Sequence, residues 1–163
     1  MFTVGILTIS DRAARGERVD ESGPAARSML AGGDAQVKES AMVPDERERI
    51  AGQLKVWADE VGLDVVLTTG GTGLGPRDVT PEATQDVIER AVPGLGELLR
   101  RATFEQSSTS VLSRGLAGVR GHTLIVNLPG SPRAVRECLA VLLPLLPHAV
   151  SMLHGGDHET HMV

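Results

Sequence analysis

Short apolar runs alternate along this chain with longer stretches of helical period. Val4 to Ile9 is apolar and rich in β-branched residues, which predicts a buried strand. Ser10-Asp11-Arg12 ends it, and a polar loop is expected to run to about Ser22. Pro24 to Ala31 reads as a helix, with Ser22 or Gly23 near its N-cap and Gly32-Gly33 beyond its end. Gln36 to Val43 is a second predicted strand. Between Asp45 and Glu60, Ile50, Leu54, Trp57 and Val61 follow the spacing of an amphipathic helix. Asp64 to Thr69 is the third strand, and Pro81 to Arg90 and Gly96 to about Thr103 are helices. Ser107 to Ser110 forms a polar loop before Val111-Leu112. Thr123 to Leu128 is a buried strand. Ser131 to about Leu153 is a long apolar helical region that Pro144 and Pro147 can kink or break. Gly155-Gly156 then opens a polar tail expected to be flexible.

Strands alternating with helices predict an α/β fold, a three-layer αβα sandwich with a mostly parallel central sheet. The expected organisation is a single domain over residues 1–154 with a tail at 155–163. Such folds bind ligands outside the carboxyl ends of their strands. Three loops leave strand ends here: Ser10-Asp11-Arg12, the glycine-rich run at 70–75, and Asn127-Leu128-Pro129-Gly130-Ser131.

Composition narrows the function classes. The 163 residues carry a net charge of -5, which argues against a dominant nucleic-acid or anionic-membrane surface. Two Phe, one Trp and no Tyr leave almost no base-stacking platform. Cys138 is the only cysteine, so neither an intrachain disulfide nor a cysteine-based zinc cluster can form. The N-terminal run lacks a basic flank and reads as a strand rather than a signal peptide, and no apolar run is expected to reach transmembrane length. A cytoplasmic location follows as the expectation.

The densest chemistry lies at residues 68 to 84. Asp64-Val65-Val66-Leu67 leads into Thr68-Thr69-Gly70-Gly71-Thr72-Gly73-Leu74-Gly75, followed by Pro76, Arg77, Asp78 and a helix start. A glycine loop between strand and helix, with its amides open, is a common phosphate cradle; a tight structural turn is the competing reading. It has neither the Gly-Lys-Ser/Thr ending of a P-loop nor the Gly-x-Gly-x-x-Gly spacing of a dinucleotide fold. Thr80-Pro81-Glu82 and Ser131-Pro132 each offer an N-cap hydroxyl with proline at the first helical position, leaving helix amides for an anion. A carboxylate such as Asp78 beside phosphate makes sense with Mg²⁺ between them; a salt bridge with Arg77 or a turn-stabilising bond are the alternatives. Asp45, after Val43-Pro44, reads from the residues alone as a helix N-cap, with Glu48 completing a capping box. Asp11 allows a local turn bond or a ligand role. Ser113-Arg114 offers a hydroxyl and a cation, and Cys138 is expected to face the core. His154, His158 and His161 are irregularly spaced and read as a solvated tail rather than a metal cluster. No Ser-His-Asp arrangement is recognisable.

Thr69-Gly70-Gly71-Thr72-Gly73, Arg77-Asp78-Val79-Thr80-Pro81-Glu82-Ala83-Thr84 and Asn127-Leu128-Pro129-Gly130 resemble the molybdopterin-binding family. This family includes the bacterial Mog and MoaB proteins, the plant Cnx G domain and the N-terminal domain of gephyrin. Ser10-Asp11-Arg12, Val43-Pro44-Asp45-Glu46 and Leu112-Ser113-Arg114 fall in the family order, and the likeness covers about residues 3–153. The resemblance implies an α/β sandwich forming homotrimers. It also implies adenylylation of molybdopterin with Mg-ATP, in which the terminal phosphate attacks the α-phosphate and pyrophosphate leaves. The family's important aspartates match Asp45 and Asp78, carried over as catalytic residues and as Mg²⁺ ligands. Binding roles are expected for Ser10, Asp11, Thr69, Gly70, Gly71, Thr72, Gly73, Arg77, Thr80, Ser113, Asn127, Pro129, Gly130 and Ser131. Other molybdenum cofactor biosynthesis proteins are implied as partners, and no nucleic acid or membrane. The competing expectations are a non-catalytic molybdopterin-binding or scaffold module, and a nucleotide or pterin hydrolase.

Overall fold

In the computed structural model, which describes residues 1–156, six strands form one sheet in the order β2-β1-β3-β6-β5-β4. β1 (Phe2–Ile9) lies parallel between β2 (Ala35–Val43) and β3 (Val65–Thr69), and β3 lies parallel to β6 (Thr123–Leu128). Strand pleating explains the apolar runs. Val4, Ile6, Val65, Leu67, Leu124 and Val126 face one core, while Leu7, Ile9, Val66 and Ile125 face the other. The first core is closed by α2 (Ser22–Leu30), α5 (Pro93–Thr103), α6 (Pro132–Leu142) and α7 (Leu146–Leu153). The second is closed by α3 (Arg47–Lys55) and α4 (Thr80–Val87). This is the expected three-layer αβα sandwich. Fully buried side chains such as Leu7, Leu54 and Leu139 each contribute on the order of 2 kcal/mol of transfer free energy.

Trp57 packs on bare backbone: a Cβ on Gly5 would lie 2.6 Å from Leu63 and 2.8 Å from the Trp57 ring. The predicted 45–60 helix begins later, at Arg47, and winds as a π-helix over Val56–Val61, keeping Trp57 inside while Val61 is half-buried. The long C-terminal helix breaks as expected at its prolines, with a 3₁₀ turn at Leu143–Leu145. The stretch Pro132–Leu153 is nevertheless 22 residues long and holds an 18-residue window of mean hydropathy 1.4, long and apolar enough by length and composition to cross a membrane. That corrects the expectation that no run reaches such length. In the fold, its Val135, Cys138, Leu139, Leu142, Leu146 and Val150 are buried against the sheet.

Four details depart from the sequence pattern. The 10–22 loop contains a short helix, α1 (Asp11–Ala14), capped by Ser10. α4 ends at Val87, and Arg90–Ala91 forms β4 instead of a last helical turn. β4 pairs antiparallel with β5 (Ala117–Arg120), which pairs antiparallel with β6. These two strands are too short to carry a period, and Gly118 leaves the space that Ile88 fills. Lastly, His154 is not free in solvent: its Nε2 lies 2.7 Å from Asp64 Oδ1, and its ring stacks on His122. Burial works to raise the Asp64 carboxyl, but bonds from Thr3 and His154 outweigh it and hold the group below its ordinary value. His158 and His161 lie outside the described residues.

Candidate functional site

All the predicted site loops meet at the carboxyl edge of the sheet. The Ser10 amide bonds to Val43 O at 3.0 Å and the Gly70 amide to Leu128 O at 3.2 Å, so the ends of β1, β2, β3 and β6 are tied together. The chain then reverses through Gly70 (φ +94°) and Gly71 (φ +68°), a left-handed pair that any other residue adopts only under strain. Thr80 was expected to cap α4. It is instead the first residue of that helix, and its wholly buried hydroxyl donates to Gly70 O at 2.9 Å. The hydroxyl is thereby used to hold the glycine turn rather than a helix amide. Ser131 does cap α6 as expected, accepting from the Ala134 amide at 3.2 Å.

Both candidate catalytic acids press on this loop. A Cβ on Gly71 would strike Thr80 Oγ1 and lie 3.0 Å from Asp45 Oδ1. Cβ atoms on Gly73 and Gly75 would lie 2.9 and 2.8 Å from Asp78 Oδ2, the oxygen that accepts the Gly75 amide at 2.9 Å. Glycine is required there because a carboxylate occupies the side-chain space. Asp45 does not cap the following helix. It is locked to Asp11: Asp11 N donates to Asp45 Oδ2 at 2.9 Å, and Asp45 N donates to Asp11 Oδ1 at 3.0 Å. The residue at the head of α3 is Glu46, which makes no side-chain cap bond; its amide closes a turn on Pro44 O at 2.8 Å. Arg77 pairs with Asp11 rather than Asp78, through two bonds of 3.0 and 2.8 Å.

The two linked acids are pushed in opposite directions. Hydrogen bonds from Arg77 hold the Asp11 carboxyl below its ordinary value. Burial raises Asp45, and the charges of Asp11 and Asp78 raise it further, against the bond from the Asp11 backbone. A carboxyl lifted by desolvation beside a second carboxylate is a common mark of a functional site.

A cavity of about 500 Å³ opens on one side of the glycine loop. It brings together Thr72, Gly73, Ser113, Asn127, Pro129, Gly130 and Ser131 from the predicted set, with Leu99 and Cys138 in its apolar wall. Ser10, Thr69 and Gly70 line a smaller polar pocket of about 50 Å³ on the other side. Asp45 and Arg77 stand on a third, acidic and basic, rim with Glu46 and Arg47. Asn127 is buried and its amide is spent internally: Oδ1 accepts from Leu116 N, and Nδ2 donates to Thr68 and Thr84. It fixes the cavity floor. Burial pushes the Cys138 thiol up to about 12, an unreactive group by that measure.

Sequence reasoning named Arg114 only as a cation beside Ser113 and missed the other residues that hold the site. Arg114 donates to Gly73 O (2.9 Å), Asp78 O (2.7 Å) and both oxygens of Glu82, and its amide bonds to Thr72 O. Hydrogen bonds from Arg114 hold Glu82 below its ordinary value. Arg100 donates to Ser113 O and Gly115 O. On the opposite flank Asp20 accepts from Thr8, Ser22 and the Gly23 amide, and Ser22 shares a 2.8 Å bond with Thr69. The signals for these residues were an arginine one step from Ser113 and an Asp-x-Ser-Gly run before a helix.

No group of three or more His, Cys, Asp or Glu among the described residues could hold a metal alone. Mg²⁺ does not need one, since it keeps water and takes one or two carboxylates plus substrate phosphate. Asp45 and Asp78 supply carboxylate oxygens against the glycine loop, the donor type that mode uses.

Over residues 5–148 the chain matches the family described as "Probable molybdopterin binding domain". It is 42% identical over 155 residues to the molybdopterin adenylyltransferase of Helicobacter pylori (strain ATCC 700392 / 26695), covering 94% of this chain and 88% of that one. It is 45% identical over 157 residues to the Drosophila melanogaster molybdenum cofactor synthesis protein cinnamon, covering 96% of this chain but only 26% of that longer protein. Among solved structures, the molybdopterin biosynthesis enzyme MoaB of Thermus thermophilus superposes with a TM-score of 0.91 at 54% identity, covering 96% of this chain and 99% of that one.

Proposed function

From the premise that the chain belongs to the molybdopterin-binding family, we propose that it acts in molybdenum cofactor biosynthesis by transferring AMP from ATP to molybdopterin. The observation that carries this reading is the placement of Asp45 and Asp78 against one glycine loop, beside a cavity large enough for a bound ring system. The terminal phosphate of molybdopterin attacks the α-phosphorus of ATP. A new phosphoanhydride bond forms, the bond between α- and β-phosphates breaks, and pyrophosphate leaves. Such a reaction needs positioning and charge neutralisation more than covalent help from the protein.

In this mechanism the amides of Gly71 and Gly73 receive phosphate oxygens, and Gly73 shares the cavity with the Ser131 end of α6. Asp45 and Asp78 would hold Mg²⁺, which would supply positive charge to the polyphosphate. Arg77, held by Asp11 through Nε and Nη2, sits on the same rim and is 61% exposed, which leaves its Nη1 for a phosphate. Asn127 and Thr80 keep the floor and the loop in place. The protein works in the cytoplasm as a homotrimer, with Phe104, Val111 and Leu112 exposed as apolar contact residues, and passes its product to other cofactor-biosynthesis proteins. The domain ends near residue 154.

Pyrophosphate release tests the reading. Release that requires both ATP and molybdopterin supports adenylylation. Release with ATP alone points to a hydrolase. Tight molybdopterin binding without any release points to a binding or scaffold module.

A further inference from the structure

The cavity wall draws on two parts of the chain, segment 107–115 and Thr72-Gly73-Leu74 at the start of the acid-bearing loop, and one residue joins them. Segment 107–115 supplies Ser107, Thr109, Ser110, Leu112 and Ser113 to the cavity. Residues Thr72 to Asp78 carry the glycines and Asp78. Arg114 lies on the first segment and grips the second at three carbonyls: Thr72 O through its amide (2.8 Å), Gly73 O (2.9 Å) and Asp78 O (2.7 Å). Glu82, on the first turn of α4, clamps the same guanidinium through both carboxylate oxygens at 2.8 to 3.0 Å. Behind the wall, Arg100 holds Ser113 O and Gly115 O, and the Ser110 hydroxyl donates to Arg100 O at 3.0 Å. A planar guanidinium fork can serve several acceptors at fixed angles, which a lysine cannot.

We propose that Arg114 is a positioning residue that makes segment 107–115 and loop 72–78 one mechanical unit, so that a ligand seated in the cavity fixes the position of Asp78. The coupling orders the two substrates: filling the cavity stiffens the loop that receives the second. It rests on the adenylylation reading only for the identity of those substrates. The linkage itself is a property of the chain.

The test is hydrogen–deuterium exchange on the wild type, Arg114→Lys and Glu82→Gln, first without ligand and then with molybdopterin. In both variants, amides of 72–78 and of 107–115 are expected to exchange faster together, by roughly tenfold, while peptides from β3 and β6 stay unchanged. In the wild type, molybdopterin slows exchange in 107–115 and along the loop to Asp78; in Arg114→Lys it slows 107–115 and the cavity-lining 72–74 but not 75–78. Alongside this, kcat for AMP transfer falls by about tenfold or more with KM for ATP within about twofold, the pattern of a positional loss. Loosening of one segment alone, of neither, or of the whole sheet overturns the proposal, and so does a wild type in which molybdopterin slows 107–115 and 72–74 but not 75–78. If Arg114→Lys does not fold, Glu82→Gln decides. A wild type without AMP transfer but with coupled exchange in the variants contradicts the adenylylation reading and leaves the coupling standing.

Discussion

Alanine at Gly71 separates the cost of a left-handed backbone from the cost of crowding the acids. Gly71 has φ +68°, and a Cβ there strikes Thr80 Oγ1 and lies 3.0 Å from Asp45 Oδ1. Gly62 has φ +70° at the end of the π-helix, and a Cβ there meets nothing within 4 Å. The left-handed conformation costs a non-glycine residue about 1–2 kcal/mol at either position. Overpacking at Gly71 adds about 1–3 kcal/mol. Gly62→Ala is therefore expected to lose about 1–2 kcal/mol and Gly71→Ala about 2–5 kcal/mol in urea melts. Thr80→Ala removes the atom that the new methyl strikes, so the Gly71→Ala/Thr80→Ala double variant should lose less than the sum of the singles. AMP transfer should collapse in Gly71→Ala, since relief of the clash displaces Thr80 or Asp45, and persist in Gly62→Ala. Equal stability losses at the two glycines, with transfer intact in both, would refute the crowded geometry.

Asp45→Asn is expected to abolish AMP transfer yet melt at or above the wild-type temperature at pH 7. Burial raises the Asp45 carboxyl above its unfolded value, so its favourable contribution exists below the unfolded pKa of about 3.9 and is lost as pH rises through the folded value. Asparagine keeps the acceptor for Asp11 N without the charge, so its advantage should vanish below about pH 4; a lower melting temperature at pH 7 contradicts the strained-carboxylate reading. Asp78→Asn should retain molybdopterin binding in a fluorescence titration and lose roughly a hundredfold in transfer, whereas near-wild-type transfer would remove Asp78 from metal binding. Cys138, buried in the cavity wall with its thiol pushed up to about 12, should resist iodoacetamide at pH 8 in the folded protein and react in urea, as followed by mass spectrometry.

Whatever rests on period or on covalent geometry could be read from the chain. The β1, β3 and β6 runs are apolar on both faces because both faces are covered, and that pattern predicted the layered sheet. Gly70 and Gly71 announced a positive-φ turn because no other residue accepts one cheaply. What failed was assignment of polar partners between distant segments. Asp45 looked like a cap by its neighbours, but its partner is Asp11, 34 residues away. Thr80 looked like a cap, but its hydroxyl turns back to Gly70. Arg77 stands next to Asp78 and pairs with Asp11. Arg114 and Glu82 are 32 residues apart, and nothing local to either signals the pair. The short strands β5 and β4 are placed by pairing, β5 on β6 and β4 on β5, which no local propensity encodes.

Position-labelled ATP tests the central claim most directly. ATP labelled at the α-phosphorus or at the γ-phosphorus is incubated with the protein, Mg²⁺ and molybdopterin, and the pterin fraction is isolated. Adenylylation places the α-label on the pterin and the γ-label in pyrophosphate, in equal amounts. Recovery of the α-label as free AMP, or of the γ-label on the pterin or as free phosphate, contradicts it, as does molybdopterin binding with neither label moved.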